Sequence, residues 1–426
     1  MPGLRLSRVE GGDSLLTEAE RKGSDWLRGT VDEVWQLRQS SKLPELATKE
    51  HVASLTEAHP RWVEVERGRV VSGTEPLTVY TPQIEVRGRG LKREARVTGT
   101  DWQTDLSPVR DYWTDYFGLG QWPVEDLYYG LCERFVGRVR LEDPRMRKEL
   151  QGKSVLYLGN HQVMVESLLF SILMGGLFGA PANTIAKMEH KTSWLGQLIA
   201  HCWTWPGARD PRVITFFDRS NPRDLIRIIG ELTEDMKQGA RSVSVHVEGT
   251  RSLTCRKPVE TMAGAFVDMA IKADAPIVPV HFTGALPVEE LSERIDFPIG
   301  YGRQDLVLGK PIWPEELSAL GLRERRAMVK DRINATGQWE TEEPSPGDPE
   351  FHAAVREWMA RTGASEAHAA MWCTIAQLEH AGTPMERLRE AARAGTLRLG
   401  DSPEDRWLRT LASWVFGPRG PSITRR

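Results

Sequence analysis

Cysteine is scarce in this chain. The four residues, Cys132, Cys202, Cys255 and Cys373, are far apart and make no CxxC pair. That spacing indicates neither a disulfide framework nor a cysteine-based metal site, and it fits reduced thiols in a cytoplasmic protein. No metal site is expected elsewhere. Long apolar runs are also missing. The greasiest, Leu168 to Phe178, is well short of the roughly 20 residues that span a bilayer. Met1 to Glu20 has no apolar stretch of the signal-peptide kind, so no signal peptide is expected. Nor is there an excess of either charge: 56 Lys and Arg against 59 Asp and Glu leave a formal net charge of −3. Nucleic acid is therefore not the default partner.

What is present falls into four parts. Residues 1–110 read as an N-terminal α+β extension. Ser24–Leu37 carries a helical stripe of Trp26, Leu27, Val31, Val34 and Trp35. Residues 61–99 switch to alternating valines and isoleucines, with a Gly-Arg-Gly turn at 88–90. From 111 to 337 short apolar runs alternate with helical stretches, the pattern of an α/β domain. Its strands are expected at Ser154–Leu158, Val213–Phe217, Ser242–Val247 and Ile277–Phe282. Its helices are expected at Glu166–Gly175, Arg223–Lys237 and Ala263–Lys272. Residues 338–350, acidic and proline-rich, read as a linker. Residues 351–426 read as all-helical, with Gly363, Gly382 and Gly395 at helix ends and a short disordered basic tail from 417. Fifteen Trp place some on interaction surfaces. The aromatic stretch Tyr112–Phe135 reads either as core packing or as a face for a membrane or acyl chain.

The chemistry is concentrated where the expected strands end. The first ends in Asn160-His161, with Glu166 five residues after the histidine. A histidine with a carboxylate partner is a general base with an orienter. The spacing alone means little: about one such pair is expected by chance at ordinary charged-residue frequencies, and His59/Glu64 and His352/Glu357 share it. Only His161/Glu166 ends an apolar strand pattern. The second strand ends in Phe216-Phe217-Asp218-Arg219, the third in Glu248-Gly249-Thr250-Arg251, and the fourth reads Ala275-Pro276-Ile277-Val278-Pro279-Val280. Ligands of open α/β sheets bind outside the carboxyl ends of the strands. A base, an arginine and a Glu-Gly-Thr-Arg turn so placed suit an anion beside a group that loses a proton.

In order and spacing these segments resemble the glycerolipid acyltransferases of the lysophosphatidate and glycerol-3-phosphate acyltransferase type. The family's Asn-His-x4-Asp reads NHQVMVE at 160–166, its second motif FFDR at 216–219, its third HVEGTRS at 246–252 and its fourth APIVPV at 275–280. Lys187 is similar to a family lysine. The departures are Glu166 for Asp, His246-Val247 for Phe-Pro, Val213 for Gly, and Met262-Ala263 where a lysine pair is usual.

The resemblance implies a mixed central sheet with flanking helices and an O-acyltransferase. Its donor would be acyl-CoA or acyl-carrier protein, acting as co-substrate with no cofactor. The acceptor would be a glycerol-phosphate or lysophospholipid hydroxyl, met at a peripheral membrane contact on the cytoplasmic side. His161 would be the base and Glu166 its orienter. Arg219, Arg251 and Lys187 would bind acceptor phosphate, and Glu248, Gly249 and Thr250 would form a turn with N–H groups aimed at the anion. Plainer alternatives remain open. Arg219 pairs with Asp224, Glu248 only caps, Arg251 is a solvated charge, or His246 is structural. The departures also leave room for a non-glycerol alcohol or an amine as acceptor, and for a non-catalytic lipid-binding or scaffold protein.

Overall fold

The computed structural model describes residues 63–66, 69–72, 74–89, 92–119, 122, 124–239, 241–378 and 382–425. The helical stripe at Ser24–Leu37 and the residue His59 lie outside the described residues. The chain divides into two compact units, Met1–Asp105 with Arg138–Arg145, and Leu106–Gly137 with Met146–Arg426.

In the first unit, strands β1 (Val63–Glu66), β2 (Arg69–Ser72), β3 (Glu75–Arg89) and β4 (Lys92–Thr104) form an antiparallel sheet in that order. This is the alternating stretch of the sequence. The reversal falls later than the Gly-Arg-Gly expectation, because Arg89 pairs with Lys92 and Gly88 is still in the strand. Strand β5 (Val136–Leu141) is shared between the two units.

In the second unit, β6 (Leu156–Gly159), β7 (Ala182–Lys187), β8 (Ile214–Phe217), β9 (Ser242–His246), β10 (Ile277–Thr283) and β11 (Gln304–Leu308) lie in one sheet. Their order is β11-β10-β6-β9-β7-β8. β11 runs antiparallel to β10 and the other pairings are parallel, so the sheet is mixed. The four expected strands are present with ends shifted by a residue or two. β7 and β11 were not expected. Neither is an apolar run: β7 buries Asn183 and Thr184, and β11 opens on Gln304-Asp305. On one face, Ile228 and Leu232 of helix Pro222–Lys237 and Phe266 and Met269 of helix Ala265–Ala273 pack on Leu156, Leu158, Val243, Val245 and Ile277.

The helix Glu166–Phe178 is buried almost all round, as its mostly apolar sequence requires. It stops at Gly179, in the left-handed region at φ +71°, whose N–H donates to Gly175 O at 2.8 Å. Helix Ser107–Phe117 crosses it so closely that a Cβ on Gly176 would lie 2.6 Å from Val109 Cα. Trp113 Nε1 donates to Ile172 O at 3.0 Å. Trp113, Trp122, Tyr128, Tyr129 and Phe135 are all buried. The stretch therefore packs mainly into the core, the first of its two readings, with Tyr112, Tyr116 and Phe117 half-buried. Among the described residues no helix is long and apolar enough to cross a membrane.

Two readings of the C-terminal part also change. The expected linker 338–350 is not a solvated tether, because Trp339 and Glu342 are buried. Its acidic composition hides one carboxylate that has partners inside. The four expected helices are Pro349–Thr362, Glu366–Gln377, Thr383–Ala394 and Pro403–Phe416. Asp348, Ser365 and Ser402 cap three of them with side-chain oxygens. The tail is ordered through Ser422–Arg425, which pairs in parallel with Thr396–Leu399.

Candidate active site

The carboxyl end of β6 is fixed by close contact and by an amide. A Cβ on Gly159 would meet Val280 O at 2.6 Å, so β6 and β10 approach closely there. The Asn160 side chain then continues the ladder: its Oδ1 accepts from Phe282 N at 2.8 Å and its Nδ2 donates to Phe282 O at 2.9 Å. Asn160 thus anchors the turn that presents His161. The carbonyl of His161 accepts from Ser252 N at 2.7 Å, tying the first motif to the third.

His161 Nδ1 lies 2.7 Å from Glu166 Oε1, with the Glu166 side chain wholly buried. Glu166 also accepts from Gln162 N at 3.0 Å, Val163 N at 3.1 Å and Gln304 Nε2 at 2.7 Å. Surrounded by donors, the carboxylate orients the Nδ1–H tautomer of His161 and leaves Nε2 as the basic nitrogen. Glutamate in place of aspartate is accommodated because it opens the helix and folds back onto the preceding turn.

His246 stacks on His161 with ring centroids 3.8 Å apart and 12° between planes. Its Nδ1–H donates to Asn160 O at 2.7 Å, so its Nε2 accepts from Ser167 Oγ at 2.8 Å. Both nitrogens are engaged, which makes His246 structural. His161, Glu166 and His246 offer atoms within 4.8 Å of one another. The His246 Nδ1–H pointing at a carbonyl nevertheless makes them a hydrogen-bonded cluster and a poor metal donor set.

Burial pushes Glu166 up to about 7, against His246, Gln304 and the two backbone N–H groups that favour its charge. Burial also holds His161 well below its ordinary value, with Arg251, His190 and Lys187 adding to the effect. His246 is lowered to about 3 by burial and then by His161. Both rings are neutral at physiological pH.

A cavity of about 700 Å³ opens at these strand ends. His161, Lys187, Arg219, Glu248, Gly249, Thr250 and Arg251, each expected from the sequence, all line it. Asp224 is not the partner of Arg219: it bonds Arg227 and the N–H of Asp218. Asp218 bonds Ser220. Arg251 is no solvated charge; its Nη1 reaches Asp296 Oδ1 at 2.6 Å and Ile295 O at 2.5 Å. Burial, then Arg219, holds Lys187 below its usual range, and burial raises Glu248. Gly249 has φ +66°, which favours glycine. Its N–H donates to His246 O at 3.0 Å, so the expectation that this group faces an anion is corrected. Cys255 is raised to about 11 by burial and by Glu342, opposite to what a nucleophilic thiol needs. His352 and Glu357 lie on helix Pro349–Thr362 and do not line the cavity.

Sequence reasoning missed Arg294, which adds to the cationic wall, and His190, which also lines the cavity and is held below its ordinary value by burial. It also missed Asp296, which accepts from Trp194 Nε1 at 2.8 Å as well as holding Arg251. None falls in a recognisable motif. It missed Gln162, which stood inside the first motif, and the distant Gln304 and Glu342.

Residues 138–283 match the family model described as Acyltransferase. Over 170 residues the chain is 28% identical to an uncharacterized acyltransferase of Schizosaccharomyces pombe, covering 38% of this chain and 53% of that one. Over 164 residues it is 27% identical to a 1-acyl-sn-glycerol-3-phosphate acyltransferase of Saccharomyces cerevisiae, covering 38% of this chain and 48% of that one. The chain thus spans about half the length of the curated relatives it matches.

Proposed function

We propose that the protein is an O-acyltransferase. It moves a fatty acyl group from an acyl-CoA or acyl-carrier-protein thioester to the hydroxyl of a glycerol-phosphate or lysophospholipid-type acceptor. The observation that carries this reading is the 2.7 Å His161–Glu166 contact at a cavity whose wall holds Lys187, Arg219, Arg251 and Arg294. A thioester is already activated, so a positioned base suffices and no covalent enzyme intermediate is needed. His161 Nε2 takes the proton of the acceptor hydroxyl as its oxygen attacks the thioester carbonyl. Glu166 stabilises the imidazolium that forms, the role an orienting carboxylate has in a triad. Collapse of the tetrahedral intermediate breaks the carbon–sulfur bond, and the imidazolium returns the proton to the leaving thiolate. The guanidinium groups hold the acceptor phosphate by charge-assisted hydrogen bonds. No cofactor takes part, and membrane contact is peripheral, on the cytoplasmic face. The test is a transfer assay with both thioester carriers and with phosphorylated and dephosphorylated acceptors. The phosphorylated member of each pair should be the better substrate, and equal rates would count against the reading.

The dyad also sets a pH dependence. His161 is neutral throughout the working range, so the limiting ionisation is that of Glu166. Its conjugate base is the active form, and kcat/KM should rise as pH increases through about 7. A pH–rate profile flat from weakly acid to weakly alkaline pH would contradict this. Glu166→Asp shortens the reach by one methylene and is expected to keep activity within about tenfold, since a misplaced orienter costs rate without removing the base. Steady-state kcat of the purified variant checks it.

A further inference from the structure

The segment 338–350 supplies a carboxylate that the proposed chemistry does not yet use. The Glu342 and His281 side chains are both essentially inaccessible, 1% and 0% exposed, with His281 Nε2 3.0 Å from Glu342 Oε2. Trp339 stacks on the His281 ring at 3.8 Å, and a Cβ on Gly337 would meet His281 Nδ1 at 2.5 Å. The segment is thus wrapped tightly on β10. The other oxygen, Glu342 Oε1, accepts from Gly284 N and from Gln162 Nε2, each at 2.7 Å.

That second contact fixes a direction. A carboxylate only accepts, so the Gln162 amide must turn its nitrogen to Glu342 and its oxygen the other way. Gln162 Oε1 accepts from Ala285 N at 3.1 Å and lies 3.4 Å from Gln304 Nε2. Gln304 must then present its nitrogen, which donates to Glu166 Oε2 at 2.7 Å. Two amides therefore lie in series between two buried carboxylates. The far one determines that the near one receives a donor. Reversing Gln304 would set its carbonyl oxygen against the Glu166 carboxylate.

We propose that Glu342 is a positioning residue for the dyad, acting through Gln162 and Gln304 to hold Glu166 as the acceptor that orients His161. The proposal rests on the reading of His161 as the base, and it predicts effects on turnover with little effect on substrate binding. Gln304→Leu, Gln162→Leu and Glu342→Leu should each lower kcat about ten- to a hundred-fold, the range of a modest loss of alignment. KM for donor and acceptor should stay within about twofold, since none of the three lines the cavity. Because they act in one chain, the Gln304→Leu/Gln162→Leu double variant should be no worse than the worse single. Glu342→Gln keeps the oxygen that Gly284 and Gln162 need, and should restore most of the activity lost in Glu342→Leu.

The deciding readout is independent of turnover. Long-range proton–nitrogen NMR of histidine-labelled full-length protein reports the His161 tautomer, assigned with His161→Ala. The wild type and Glu342→Gln should show the Nδ1–H form, and the Leu variants should show an added Nε2–H population. A wild-type His161 spectrum and kcat in Glu342→Leu would overturn the proposal, as would the same result in Gln162→Leu if Glu342→Leu does not fold. Multiplicative losses in the double variant would also overturn it. Full transfer activity in His161→Ala would instead sink the assignment of the base, and the tautomer result would still decide whether Glu342 orients the ring.

Discussion

Replacing His161 with alanine is expected to lower kcat by about 10²–10⁴, the usual worth of a positioned general base, with the thermal midpoint nearly unchanged. The stability half of the expectation follows from the donors around Glu166. Without the imidazole the carboxylate still accepts from Gln162 N, Val163 N and Gln304 Nε2, so no buried charge is stranded. The activity half follows from the stacked pair. His246 cannot take over, because Asn160 O and Ser167 Oγ engage its two nitrogens. Glu166→Gln should also lose most of the activity, since an amide cannot stabilise the imidazolium. An active His161→Ala beside a dead His246→Ala would show that the base was assigned to the wrong ring. Initial rates and melting curves on the same preparations check both halves.

Arg219→Ala is the second large effect, and it should appear in binding. Arg219 lines the cavity beyond the end of β8, and the carboxylates that flank it in sequence are engaged with Ser220 and Arg227. A charge-assisted hydrogen bond to phosphate is worth about 1.5–3 kcal/mol. At about 1.4 kcal/mol per decade, KM for a phosphate-bearing acceptor should rise roughly ten- to a hundred-fold. KM for the thioester donor should barely move. Arg251 is the poorer probe because Asp296 already neutralises it in part, so its removal mixes binding with structure. A neutral alcohol or an amine as acceptor predicts a different outcome: acceptor KM unchanged in Arg219→Ala, with any effect confined to stability. Titration of both substrates on this one variant separates the readings.

The parts of the site that were legible in the sequence are those whose chemistry is local. Asn160-His161, Arg219 and the Glu248–Arg251 turn each follow directly on a strand whose apolar run announces it, and the sheet gathers them at one cavity. β7 and β11 were not legible because their buried positions are partly polar. Asn183 and Gln304 are buried residues that hydropathy alone assigns to the surface. Glu342 was misread for a related reason. Three acidic residues and two prolines within 338–347 look like a solvated tether, and nothing local marks which carboxylate meets His281. Asp296 and Arg294 depend on a loop brought back to β9 by tertiary contact, which no spacing rule encodes. The aromatic stretch Tyr112–Phe135 had two readings in the sequence. Two glycines on the facing helix, Gly175 and Gly176, decided for packing.

In the proposed reaction an acyl group passes from a thioester to a hydroxyl with His161 as base. The most direct test incubates the purified full-length protein with an acyl thioester and a lysophosphatidate. Released thiol and ester product are then counted together by mass spectrometry, for the wild type and His161→Ala. One ester should form per thiol released in the wild type, and both products should be lost together in the variant. Thiol release without ester, or ester formation undiminished in His161→Ala, would contradict it.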